Sequence, residues 1–419
     1  MGVSVQSVIP GTPQPRFNTG NTIISLGDSL SENGFTLTTV NPGFSDYGWQ
    51  TWANMFIGGR LNWIRNAGVI GERSDQVLAP VGSDVIPYSP TFCTVLAGRN
   101  DNNQGVAVSV VKQNLQAIYT QLLSAGIQVI AVTLQPVYTG AAISPPSTAN
   151  SAWENELNVW IREYATNTPG MILADFAQVF IDPLQSPNIA KVGYCKTDNV
   201  HFSPKGARAV GAYFASLISP LVPPRNYLPI TITDTYGTSP TANILDNGFF
   251  TGTGGTVAGG ASGTVASNWT VSIDAGTPTA AASVASRSDG FGSDQVVTIT
   301  SASASDQVAV KNTASFASRL STGATYIAQC KMSCTGNTNL TGIKAWMQIT
   351  VGGTAYAVHM LNTSLLTYDN SDLTDIVLTS TPFTIPAGAI TSSFFVVRTY
   401  FGGVGGAVLK VGQAAIRPL

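Results

Sequence analysis

Residues 22–30 read TIISLGDSL: a short apolar run, then glycine, aspartate and serine in immediate succession. Thr22–Leu26 has the length and β-branched content of a buried strand. Four more such runs follow, at Asn62–Asn66, Phe92–Ala97, Gln128–Leu134 and Met171–Ala174. Between them the apolar residues of Val106–Ala125, Ala152–Tyr164 and Pro204–Ile218 recur at helical spacing. The last of these opens on Ser203-Pro204, an N-cap followed by proline at the first helical position. Strands alternating with helices predict an α/β unit, a parallel sheet covered by helices on both faces.

The pattern changes after about residue 222. Pro220, Pro223, Pro224 and Pro229 punctuate a linker, and from Ile230 onward the chain contains no glutamate and is rich in Gly, Ser, Thr and Ala. Strand-like runs recur at Gln295–Thr300, Thr325–Lys331, Lys344–Val351, Ala355–Met360, Ser393–Tyr400 and Ala407–Ile416. Gly352-Gly353 and Gly402-Gly403 read as turns between them, and Thr251–Gly263 reads as low-complexity sequence. Many short strands with Gly-rich turns predict an antiparallel sandwich or jelly roll. The expected layout is an N-terminal extension at 1–20, an α/β domain at 21–222, a linker at 223–240 and an all-β domain at 241–419.

At 419 residues the chain is long enough for two domains. Only 10% of the residues are charged and the net charge is −2. That argues against a nucleic-acid partner, which would need a basic face, and no apolar run approaches the roughly 20 residues that span a bilayer. No secretory signal is readable at the N-terminus. Four cysteines do not make a disulfide framework at this length. Cys330 and Cys334, four apart in a strand-like run, would hold their Cα atoms roughly 13 Å apart, beyond bridging range. Four cysteines and two histidines at unrelated spacings do not suggest zinc.

The chemistry concentrates in the first half. Ser29 follows the first strand at the mouth of the next helix, where an open α/β sheet leaves its crevice. By itself Gly-Asp-Ser is a turn with an N-cap serine. In a sheet ordered 2-1-3-4-5, however, the loops after the second and third strands flank that serine. They carry Asn66-Ala67-Gly68-Val69-Ile70-Gly71 and Gly98-Arg99-Asn100-Asp101. The N–H groups of Ser29 and Gly71 and the Asn100 side-chain amide would supply three donors to one oxyanion. His201, the only histidine of the first half, closes Asp198-Asn199-Val200-His201 just before the last helix. It is placed to take the Ser29 proton while Asp198 fixes the imidazole tautomer. As a metal site, Asp198 and His201 lack further ligands.

Gly27-Asp28-Ser29-Leu30, Gly71, Gly98-Arg99-Asn100-Asp101 and Asp198-Asn199-Val200-His201 resemble, in order, the four blocks of the SGNH (GDSL) hydrolases. The resemblance covers about residues 20–220. It implies a flavodoxin-like three-layer αβα sandwich and a catalytic triad of Ser29, Asp198 and His201. It further implies an oxyanion hole of Ser29, Gly71 and Asn100, with no metal or organic cofactor. Arg99 stands where the family often has a small residue, a position that would narrow the pocket. In the second half, Asn243–Phe250, Asn268-Trp269, Pro382–Gly388 and Val411–Ile416 resemble segments of carbohydrate-binding jelly-roll modules. Trp269, Trp346, Tyr356 and Tyr400 are the aromatic residues able to stack on sugar rings, against the commoner fate of packing a β-core.

The expected function is a serine esterase removing short acyl groups, acetyl above all, from a polysaccharide, with the glycan held in part by the C-terminal half. Two rival readings are a glycan-binding receptor or structural protein with little activity and a lipolytic esterase for longer chains. The combination also resembles bacteriophage tail proteins that deacetylate host glycans, which favours an extracellular or virion-associated setting. The loops Glu32–Tyr47 and Val137–Asn150 are expected to shape the pocket, and the sequence carries no signature of oligomeric state.

Overall fold

The computed structural model describes residues 17–36, 41–312, 314–363 and 371–419. Most of the predicted N-terminal extension, residues 1–16, and part of the first pocket-shaping loop, residues 37–40, lie outside them. The first half runs β1 (Thr22–Gly27), α1 (Ser29–Glu32), β2 (Phe35–Thr36), β3 (Gly43–Ser45), α2 (Trp49–Phe56) and β4 (Asn62–Gly68). It continues through α3 (Ser74–Leu78), α4 (Val81–Asp84), β5 (Phe92–Leu96), α5 (Arg99–Asn103), α6 (Val108–Ser124) and β6 (Gln128–Val132). It ends with α7 (Thr148–Asn167), β7 (Met171–Ala174), α8 (Phe176–Phe180) and α9 (Pro204–Ile218). Five strands form one parallel sheet in the order β4-β1-β5-β6-β7. Counted among themselves, they stand in the 2-1-3-4-5 order.

This sheet is sandwiched as its sequence requires. On β1, Ile24 and Leu26 enter one core with Val111, Leu115, Ile118 and Leu122 of α6. Ile23 faces the other way, into a core with Trp49 and Trp52 of α2 and Val210 and Phe214 of α9. Alternate side chains of a strand point to opposite faces, so one apolar run feeds two cores. The α6 residues are spaced by three and four and form the single apolar stripe that packs a helix on a sheet.

The second half contributes β8 (Thr256–Ala258), β9 (Ser262–Gly263), β10 (Thr270–Ala275), β11 (Thr279–Ser286), β12 (Ser293–Ser301) and β13 (Gln307–Asn312). Then come β14 (Thr325–Val351), β15 (Thr354–Asn362), β16 (Leu373–Thr379), β17 (Phe383–Thr384) and β18 (Ile390–Pro418). β14 and β18 are 27 and 29 residues long and pair antiparallel along their length, where the sequence predicts two separate strands each. The reason lies in the glycines. A Cβ on Gly405 would sit 2.2 Å from the Thr338 carbonyl oxygen. The glycines near residue 403 therefore mark a close approach of two backbones, with no turn between strands. Gly352 and Gly353, both at positive φ, do form the expected turn between β14 and β15. Thr251–Gly263, low in complexity, supplies β8 and β9.

Trp269 belongs to the core: it is 1% exposed and stacks on Phe250 with centroids 4.1 Å apart. It is removed from the candidates for sugar stacking. Cys330 and Cys334 are both buried free thiols on β14.

A seam joins the halves. Strands β2 and β3, from the first half, extend the second sheet to 13 strands, β3 running parallel to β15. His359 pairs with Gly43 and Asn362 with Ser45, and the His359 N–H donates to the Pro42 carbonyl at 2.8 Å. A Cβ on Gly43 would lie 2.3 Å from that of His359, so only glycine permits this contact. Elsewhere Arg208 donates to the Asp372 carbonyl at 2.8 Å, and Gln329 accepts from the Tyr227 N–H at 2.9 Å. Residues 223–240 contain no helix or strand, yet Arg417 ties them down through the Asp234 carboxylate and the Tyr227 carbonyl.

Candidate active site

Ser29 sits where β1 ends. A Cβ on Gly27 would fall 2.1 Å from the Leu96 carbonyl oxygen of β5, so the chain can leave the sheet here only through glycine. Asp28 then caps α1 by accepting the Leu30 N–H at 2.9 Å. Ser29 is thereby the first residue of the helix, and the Asn33 side chain holds its carbonyl at 2.8 Å.

The Asp198–His201 segment reaches Ser29 from the far end of the sequence. His201 Nε2 lies 2.8 Å from Ser29 Oγ, and His201 Nδ1 lies 2.9 Å from Asp198 Oδ2. The other Asp198 oxygen accepts the N–H groups of Val200 and His201, both at 2.9 Å. Asn199, at φ 62°, makes the left-handed turn that lets residues three apart face one another. Its carbonyl accepts the Tyr138 N–H at 2.8 Å, which pins the loop to the segment after β6. Burial alone would raise the Asp198 pKa. The N–H groups of His201 and Val200 and the His201 ring outweigh it and hold the carboxyl below its ordinary value.

The loop after β4 and the start of α5 complete the site. Val69 N–H donates to the Gly27 carbonyl at 3.0 Å and Ile70 N–H to the Glu32 carboxylate at 2.5 Å. Asn100 Nδ2 donates to the Glu72 carbonyl at 2.8 Å. Gly71, between these anchored neighbours, has φ 82° and open space where a Cβ would be. Among the described residues, the N–H groups of Ser29 and Gly71 donate to no protein acceptor. Asp101 braces the arrangement by accepting both the N–H and the hydroxyl of Ser74, at 2.9 and 2.7 Å.

Residues 25–209 match the profile of the GDSL-like Lipase/Acylhydrolase family. Over this stretch the chain is similar to GDSL-like lipases and acylhydrolases. No curated protein matches the chain in sequence. Among solved structures, a variant of an acetyl-xylooligosaccharide esterase from Geobacillus Stearmophilus is 15% identical, over 50% of this chain and 100% of its own, with a TM-score of 0.40. A GDSL-like lipase from Bacteroides thetaiotaomicron is 20% identical over 48% of this chain and 86% of its own, with a TM-score of 0.37. A psychrotrophic esterase from a Pseudoalteromonas species is 19% identical over 48% of this chain and 97% of its own, with a TM-score of 0.36.

Several residues of the GDSL-like domain act beneath the site, where sequence reading gave them no part. Arg99 does not narrow the pocket. It is 2% exposed, paired with the buried Glu154 of α7 and bonded to the Gln135 carbonyl, so it anchors the start of α5 from behind. Asp28 is fully buried, and that burial lifts its carboxyl to about 7 against the pull of the Leu30 N–H and Arg99. Lys196 lies 3.6 Å from the centre of the Tyr47 ring. Burial holds its pKa below the ordinary value, against the pull of Asp198 and Asp46. Its signal was hidden because Tyr47 and Lys196 are remote in sequence. Among the described residues no cluster of His, Cys, Asp or Glu could hold a metal ion.

Proposed function

We propose that this protein is a serine ester hydrolase that removes a short acyl group, acetyl above all, from a polysaccharide. The observation that carries the reading is the unbroken path from Ser29 Oγ through His201 to the Asp198 carboxylate. In this mechanism His201 Nε2 takes the Ser29 proton as Oγ attacks the ester carbonyl, and Asp198 stabilises the resulting imidazolium. The N–H groups of Ser29 and Gly71, with the second Asn100 amide hydrogen, receive the oxyanion. His201 then returns the proton to the departing alkoxide, leaving an acyl-serine. Water, deprotonated in turn by His201, releases the acid and restores the serine.

A hydrophilic alcohol is favoured over a long acyl chain by the cleft that begins at Glu32 and Asn33, one turn from Ser29, in whose lining polar residues outnumber apolar ones. An acylated surface polysaccharide also accords with an extracellular or virion-associated setting. Ser29→Ala is expected to abolish hydrolysis of p-nitrophenyl acetate, by about 10⁴-fold or more, with an unchanged circular dichroism spectrum. Retained turnover would refute the assignment of the nucleophile. Preference for longer acyl chains over acetyl would instead favour the lipolytic reading.

A further inference from the structure

A cleft of about 400 Å³ lies across the seam, lined by Glu32, Asn33 and Asn41 of the first half and Lys344, His359 and Asn362 of the second. Its size is within the ~300–1,000 Å³ of small-ligand sites. The wall is a built surface. Ser45 pairs with Asn362, Asn362 with Lys344 and Lys344 with Arg398, one cross-strand row over four strands. The neighbouring row is Gly43, His359, Trp346 and Val396. Partners in register project from the same face, so side chains from both halves stand on one continuous platform. At the other edge of the cleft, Glu32 and Asn33 close the single helical turn that opens with Ser29, about 5.4 Å away along the axis.

The charges on this platform are unequal. Arg398 pairs with Asp274 at 2.6 Å, a carboxylate it shares with Lys311. Among the described residues Lys344 has no carboxylate within 4 Å and no hydrogen bond, and its Nζ lies 5.7 Å from the centroid of the Tyr400 ring. Burial and Arg398 hold its pKa below the ordinary value, against the pull of Asp46. His359 adds no second charge at neutral pH, because burial, helped by Lys344, lowers it to about 4. The one acid of the lining, Glu32, is engaged by the Ile70 N–H. The cleft thus combines one ammonium that no carboxylate contacts directly, although Asp46 attracts it from further off, with several amides and hydroxyls.

We propose that this cleft binds a carboxylate-bearing sugar of an acylated acidic polysaccharide, Lys344 meeting the carboxylate and Asn33, Asn41 and Asn362 the hydroxyls. The inference rests on the reading of Ser29 as nucleophile for its catalytic meaning, since the bound sugar presents its ester to that serine. The C-terminal half is then a wall of the substrate site, more than a tethered module.

The test separates binding from turnover. Full-length Ser29→Ala protein is titrated calorimetrically with trigalacturonate, a trimer of sialic acid, and neutral maltotriose. At least one acidic trimer is expected to bind about tenfold more tightly than maltotriose, with affinity falling as salt is raised. Adding Lys344→Met should remove that preference and Lys344→Arg should keep it. Lys344→Met should leave the far-ultraviolet circular dichroism spectrum and the urea midpoint unchanged, which reports an intact fold. Equal affinity for acidic and neutral trimers, no binding of either acidic trimer, or no effect of Lys344→Met overturns the proposal. Acid-selective binding by a protein inactive on every ester would refute the nucleophile and leave the binding site standing.

Discussion

In the parallel sheet, β1 and β5 are buried almost throughout, and the polar groups around Ser29 stand on loops beyond the strand ends. In the large antiparallel sheet, Lys344, His359 and Asn362 stand within strands, on a face set by register. The first arrangement needs many local ties: Asp28 to Leu30, Asn100 to Glu72, Asp101 to Ser74, Glu32 to Ile70. The second needs few, because ladder hydrogen bonds already fix each side chain relative to its neighbours. A site on loops is precise only if its supports are intact. A site on a sheet face is precise wherever the pairing holds.

The contrast predicts where each region breaks. Asn100→Ala removes the amide proposed to serve the oxyanion, together with its tie to Glu72. It should lower kcat on p-nitrophenyl acetate about 10²- to 10³-fold, measured at saturating substrate, with KM changing far less. A loss below fivefold would mean that the loop keeps its geometry, and the oxyanion its support, without this residue. Gly43→Ala attacks the seam instead. The new methyl group must push β3 from β15, and stability should fall by about 1–3 kcal/mol, read as a lower urea midpoint. An unchanged midpoint would show that the two halves do not unfold together.

The smallest effect is the pH dependence at Asp28. Its folded pKa of about 7 lies above the ordinary value of 3.8, so the folded state holds the proton longer than the unfolded chain. Stability contributed by the neutral acid is therefore lost as pH rises from about 4 through 7. Asp28→Asn keeps an acceptor for the Leu30 N–H and removes the charge. Its melting temperature should gain on the wild type progressively from pH 4 to 7 and level off above. A constant difference across that range would mean that Asp28 is paired in some other way.

Much of the loop site was legible because its residues come in short blocks beside strand ends. Ser29, Gly71, Asn100, Asp198 and His201 could each be named from their neighbours, and the structure brings His201 to Ser29 across 172 positions of sequence. Asp28 and Arg99 stood inside those blocks, but their burial was not legible, since it depends on distant segments, for Arg99 on what α7 and the chain after β6 place against it. The seam was not legible at all. Gly43 looks like any loop glycine until His359 arrives beside it.

By itself the sequence determined the alternation of strand and helix, the change of composition after residue 222 and the choice of candidate site residues. These follow from periodicity and local chemistry, which need no distant partner. Only the tertiary structure decided that β14 and β18 run unbroken, that Trp269 is core, and that two strands of the first half complete the sheet of the second. Those outcomes depend on backbone pairing and exclusion of water between segments hundreds of residues apart, where one missing Cβ decides whether two strands can meet.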